Sequence, residues 1–137
     1  MGKYIIVCSD GSFDKLQTAA LVASGAIMND HSVVMFFMHD AVWAMRKNNP
    51  SMNLKSKTVY PEVSEKIEKV RTEGKLVLWN DLLEDLKDIG KLEVIVCAQI
   101  TEILGLSKDD FIPLVDQIAG VATLTEESID ADHVISF

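Results

Sequence analysis

Cys97 ends the apolar run Leu92-Glu93-Val94-Ile95-Val96 and immediately precedes a segment of helical spacing, Gln99-Ile100-Thr101-Glu102-Ile103-Leu104. A thiol at the carboxyl end of a strand, facing the start of a helix, stands where open α/β sheets place ligands and where backbone N–H groups favour negative charge. The chemistry that suits this position is that of a thiolate, meaning nucleophilic attack and thiol exchange. A buried, inert core cysteine suits it equally, because free cysteine is among the most buried residue types. Cys8 ends a second strand-like run, Tyr4-Ile5-Ile6-Val7, and is a candidate second thiol on the same edge of a parallel sheet. Neighbouring strands lie about 4.8 Å apart, so one intervening strand would separate the two sulfurs by on the order of 10 Å, beyond disulfide reach. His39 follows the run Val33–Met38 and falls on that edge too, as a candidate base for a thiol. Its alternative is an exposed neighbour of Asp40, with Asp40 capping a short helix.

Two further segments carry charge or turn chemistry. Ser9-Asp10-Gly11-Ser12 lies between a strand and a helix, where a nucleotide or flavin phosphate can be cradled. Asp10 sets a negative charge in that place, and neither G-x-G-x-x-G nor G-x-x-x-x-G-K-[ST] is present. From Arg46 to Lys57 the chain carries Arg46, Lys47, Lys55 and Lys57 and no acidic residue, which reads as a mobile polar loop of the kind that borders active sites. It is a candidate for docking an acidic partner or an anionic donor. His31 and His133 read as structural, and no His/Cys/Asp spacing matches a zinc site.

The elements that must position these residues alternate between strand and helix patterns, the signature of βα units winding into a parallel sheet. Strands are expected at Tyr4–Cys8, Val33–Met38, Leu92–Val96, near Ile118-Ala119 and at His133–Ser136, five in all. The first is apolar throughout, as when helices cover both faces. Helices are expected over Phe13–Asn29, with Ser12 as N-cap, and over Ala41–Arg46. A third starts at Pro61, with Val63, Ile67 and Val70 on its inner side and Gly74 at its end. The next runs over Asp81–Ile89, burying Leu82, Leu83, Leu86 and Ile89, with Gly90 as cap. Leu76–Trp79 leaves strand and helix approach open. Gly105-Leu106 stops the helix after Cys97, Gly120–Thr123 reads as a turn, and a last helix holds Leu124 and Ile129.

With 137 residues, the chain is long enough for one core and too short to expect two, so residues 1–137 form one expected domain. Its 13 basic and 21 acidic residues leave a net charge of −8, which argues against a nucleic-acid partner. No apolar stretch is long enough to span a bilayer and no signal peptide is visible, so the expectation is a soluble, cytoplasmic protein with free thiols. No bound cofactor is expected.

One resemblance draws these features together. Val96-Cys97-Ala98-Gln99-Ile100-Thr101-Glu102-Ile103-Leu104-Gly105-Leu106, then Lys108-Asp109-Asp110-Phe111-Ile112, then Gly120-Val121-Ala122-Thr123 resembles the C-terminal half of the DsrE/DsrF/DsrH-like family of sulfur-carrier proteins. The shared features are a strand-end cysteine, a glycine eight residues on, a lysine-acid-acid turn and a glycine-valine-alanine-threonine step. The first half agrees more loosely, through its strand, the helix Ala19–Met28 and the strand Val34–Phe37. The resemblance implies an α/β/α sandwich around a five-stranded parallel sheet. It also implies homo-oligomers such as trimers or hexamers, and a cysteine carrying sulfane sulfur as a persulfide, here Cys97. Partners would be sulfur donor and acceptor proteins, and the transfer step would be a sulfurtransferase reaction. Two other classes stand beside this one: a small-ligand module binding a nucleotide or flavin, and a non-catalytic oligomeric adaptor in which Trp43, Met45 and Trp79 bury against sister subunits.

Overall fold

The computed structural model describes residues 1–49 and 55–137, so the middle of the expected basic loop, residues 50–54, lies outside the described residues. Five strands form one parallel sheet: β1 (Lys3–Cys8), β2 (Ser32–Phe37), β3 (Leu92–Cys97), β4 (Gln117–Ala119) and β5 (His133–Ser136). Their spatial order is β4-β3-β2-β1-β5. The chain therefore steps strand by strand to one side, then returns across the sheet to place β5 against β1.

Among the described residues six α-helices accompany the sheet: α1 (Phe13–Met28), α2 (Asp40–Ala44), α3 (Pro61–Thr72), α4 (Trp79–Ile89), α5 (Ala98–Ile103) and α6 (Val121–Ser128). Right-handed crossovers put α1 and α4 on one face of the sheet and α6, on the return path, on the other. The packing of α1 against α4 agrees with this. Across the chain, Lys3 Nζ of β1 meets Glu127 Oε2 of α6 and Asp130 Oδ1, each at 2.8 Å. The result is the α/β/α arrangement that the family resemblance implies.

The core is built where the sequence is apolar without alternation. Ile5 and Ile6, Met35, Phe36 and Phe37, and Val94, Ile95 and Val96 are all fully buried, because both faces of the central strands are covered. Leu16, Ala19, Ala20 and Ala23 form the buried stripe of α1, whose small side chains let it lie close to the sheet. Gly90 ends α4 in an extended conformation, φ −155°, and serves close approach: a Cβ there would stand 2.4 Å from Cγ2 of Ile27 on α1.

Of the two readings open for Leu76–Trp79, the approach to the helix holds, and Trp79 opens α4 fully buried. Other expectations change. Met45 is fully buried too, so these two residues serve this chain's own core and cannot meet a sister subunit, whereas Trp43 is 44% exposed. Ile89 is exposed at the last turn of α4. No residue of α3 is buried, and Val63 and Val70 face solvent. The Gly120–Thr123 step is the N-cap and first turn of α6 rather than a separate turn.

Candidate functional site

Cys97 is the last residue of β3 and the N-cap residue of α5, with φ −64° and ψ 123°. Its carbonyl accepts a hydrogen bond from Thr101 Oγ1 at 2.8 Å, and both residues are buried, Cys97 at 1% exposure and Thr101 at 3%. Gly105, at φ +70°, closes α5 in the left-handed region, and the Leu106 N–H returns to the Thr101 carbonyl at 3.0 Å. The glycine eight residues after Cys97 is thus the stop that keeps α5 to six residues.

The lysine-acid-acid turn also has a structural job. Ser107 and Asp110 form a capping box around the 3-10 turn Lys108–Asp110, with the Ser107 N–H donating to Asp110 Oδ2 at 2.7 Å. The next residues pair with the segment after α2: Lys47 N–H to the Asp110 carbonyl and Ile112 N–H to the Met45 carbonyl, each at 2.9 Å. Arg46 and Phe111 form an isolated antiparallel bridge between these two contacts.

Cys8 closes β1 and is also 1% exposed. Burial pushes its thiol from the ordinary 9.0 up to about 12, so it stays protonated throughout the neutral range. Register then relates the two sulfurs. Cys8 pairs with Phe37, and Phe37 with Val96, which puts Cys8 level with Val96 and one residue short of Cys97. Side chains alternate between faces along a strand, so the two thiols share an edge of the sheet but point to opposite faces, with β2 between them.

His39 lies just past β2, exposed, with φ +48° and ψ −127°, a conformation uncommon for a residue with a Cβ. It is the N-cap residue of α2, and Asp40 is the first helical residue rather than the cap. Among the described residues its imidazole has no hydrogen-bond partner, so nothing orients it toward either sulfur.

The edge of the sheet does hold a cavity, of about 420 Å³, between the turn after β1 and the segment after β2. Ser12, Asp40, Trp43, Arg46, Lys55 and Lys57 are among its walls, and neither cysteine nor His39 is. Gly11 belongs to it by necessity, since a Cβ there would meet the Asp40 carbonyl oxygen at 2.6 Å. Asp10 turns back on its own loop: Oδ1 accepts from the Ser12 N–H at 2.8 Å, and Oδ2 takes Lys57 Nζ at 2.7 Å. The hydrogen bond from Lys57 holds the Asp10 carboxyl down at about 2. The charge that argues against an anion in this turn is therefore compensated by a residue 47 positions away, a pairing that sequence spacing does not reveal.

Among the described residues, no group of three or more His, Cys, Asp or Glu side chains is disposed to hold a metal ion. No described helix is long and apolar enough to cross a membrane.

An open parallel α/β sheet carrying a strand-end cysteine and a short following helix defines the class. The family model described as DsrE/DsrF-like matches residues 2–137, and the chain belongs to that family, which is associated with sulfur relay. Among solved structures, the ychN protein from E. coli is similar at 20% identity and a TM-score of 0.63, with all of both chains covered. MTH1491 from Methanobacterium thermoautotrophicum, described as a protein of unknown function, is similar at 9% identity and a TM-score of 0.63, again over the whole of both chains. These likenesses establish the fold. No protein with a curated description matches the sequence significantly.

Proposed function

We propose that this protein carries sulfane sulfur as a persulfide on Cys97. The observation that carries the reading is the position of Cys97: it closes β3 within the motif run shared with the family, while the other thiol, Cys8, is held protonated at neutral pH by its burial. In the transfer step the Cys97 thiolate attacks the outer sulfur of a donor persulfide. A Cys97 Sγ–S bond forms, the donor S–S bond breaks, and the donor leaves as a thiolate. An acceptor thiolate then attacks the carried sulfur, and Cys97 departs as the leaving thiolate, so the cycle has no net oxidation.

At 1% exposure Cys97 is reached only when its cover gives way. The adjoining element is α5, six residues that begin immediately after Cys97 and turn Glu102 and Ile103 to solvent, and a local opening there would expose the thiol. A reducing, cytoplasmic setting agrees with two free cysteines. Donor and acceptor proteins would dock at this edge, and assembly into trimers or hexamers would cover apolar side chains now exposed, among them Ile103, Val121, Ile129 and Val134. Those same side chains, with both thiols buried, favour the second reading, an oligomeric adaptor.

Intact-mass analysis after brief exposure to a sulfane sulfur donor separates the two. The carrier gains one sulfur atom in the native protein and in Cys8→Ala, and none in Cys97→Ala. Absence of any addition until the protein is denatured would leave the adaptor.

A further inference from the structure

We propose that the cavity between the turn after β1 and the segment after β2 binds a small molecule through a dianionic phosphate group, independently of sulfur transfer. Its volume, about 420 Å³, falls in the range of small-molecule sites, and it opens at the carboxyl ends of parallel strands, where such sheets take ligands. Arg46, Lys55 and Lys57 line it together with one acid, Asp40, in a protein whose net charge is −8; Lys57 is already paired with Asp10 behind the wall, whereas Arg46 meets no carboxylate among the described residues. The Arg46 charge is therefore left for an anion, in a cavity whose other two cations add to the local positive potential.

The groups are also fixed. The Arg46 guanidinium lies 3.5 Å from the Trp43 ring centroid and donates from Nε to the Trp43 carbonyl at 2.9 Å. The backbone of Arg46 is clamped by the bridge to Phe111. Lys57 is tied through its N–H to Asp14 Oδ2 and through Nζ to Asp10 Oδ2. Arg46 therefore presents Nη1 and Nη2 from a held position, the fork geometry that suits phosphate oxygens.

Ser12 supplies a second, independent indication. It is 5% exposed, lines the cavity and holds the N-cap position of the 16-residue α1, and its Oγ, which lies beside the Asp10 carboxyl, makes no hydrogen bond of good geometry. An orphaned buried hydroxyl is costly, and a phosphate oxygen at the start of α1 would satisfy it.

The test is titration of the full chain with inorganic phosphate at constant ionic strength, followed by tryptophan fluorescence, with Trp43→Phe assigning the signal to the cavity rather than to the buried Trp79. Expected are a saturable change, a loss of affinity of about tenfold or more in Arg46→Gln, and an unchanged curve in Lys91→Gln, which lies at the opposite edge of the sheet. Ser12→Ala is the smaller variant, expected to weaken binding severalfold while circular dichroism stays native, and it decides the matter if Arg46→Gln does not fold. Glycerol phosphate should bind at least as tightly as phosphate, and acetate more weakly. A response matched by chloride or acetate, or affinity unchanged in both site variants, would overturn the proposal.

Discussion

Replacing Cys8 with alanine should flatten the alkaline side of the stability profile. The unfolded thiol titrates near 9.0 and the folded one near 12, so between those values the unfolded chain has released a proton that the native protein retains. Stability from this group is therefore complete below pH 9 and is lost as pH rises toward 12. At pH 10 the unfolded state gains about 1.4 kcal/mol from ionisation and the folded state almost nothing, and the full three-unit difference is worth about 4 kcal/mol. For a chain of this length an unfolding entropy of about 0.3 kcal/mol/K converts the pH 10 loss into a fall of about 5 °C in Tm. Lysines and tyrosines titrate in the same range, but they are common to both proteins and cancel in the difference. Calorimetric melts of wild type and Cys8→Ala at pH 7 and pH 10 give the comparison, with the cavity cost of the variant removed as the pH 7 offset. Parallel pH profiles, with the offset unchanged at pH 10, would refute the assignment of a desolvated, protonated thiol to Cys8.

Two further outcomes are expected. Thr101→Val removes the hydrogen bond that ties α5 to the Cys97 carbonyl, at about 1 kcal/mol, and should raise the rate of native-state alkylation of Cys97 about fivefold, read by peptide mass spectrometry. Gly90→Ala drives a methyl group into Cγ2 of Ile27 between α4 and α1, and should cost about 1–3 kcal/mol in urea denaturation with an unchanged m value.

The strands were readable because their signal is local: continuous apolar runs ended by Cys8, Met38 and Cys97 mark strands covered on both faces. The direction of winding followed from alternation with helices. Burial was less legible where it depends on what stands opposite. Trp79 and Met45 read as surface apolar residues only until the packing of α4 and of the segment before Arg46 is known, and on the apolar side of α3 Ile67 packs half-buried against the core while Val63 and Val70 stay exposed. At the site, the strand-end place of Cys97 was visible, but its burial and the facing of the two thiols depend on register across β2. The cavity is not legible in the sequence for a related reason. Its two halves, Ser9–Ser12 and the basic stretch, are each apparent, yet contacts across more than 40 positions, Lys57 with Asp10 and with Asp14 among them, make them one place.

The opposed facing of Cys8 and Cys97 bears on how a loaded carrier keeps its cargo. A persulfide beside a second thiol of the same chain discharges itself: the neighbour attacks Sγ, hydrogen sulfide escapes, and a disulfide is left behind. Here β2 stands between the two sulfurs as a wall on the order of 10 Å thick, and each sulfur looks away from the other. That short circuit is closed to the chain. On the proposed carrier reading, sulfur loaded on Cys97 would wait for a thiol from another molecule, and oxidation would leave mixed adducts rather than an internal lock, so the sheet itself would act as the insulation that makes delivery depend on encounter.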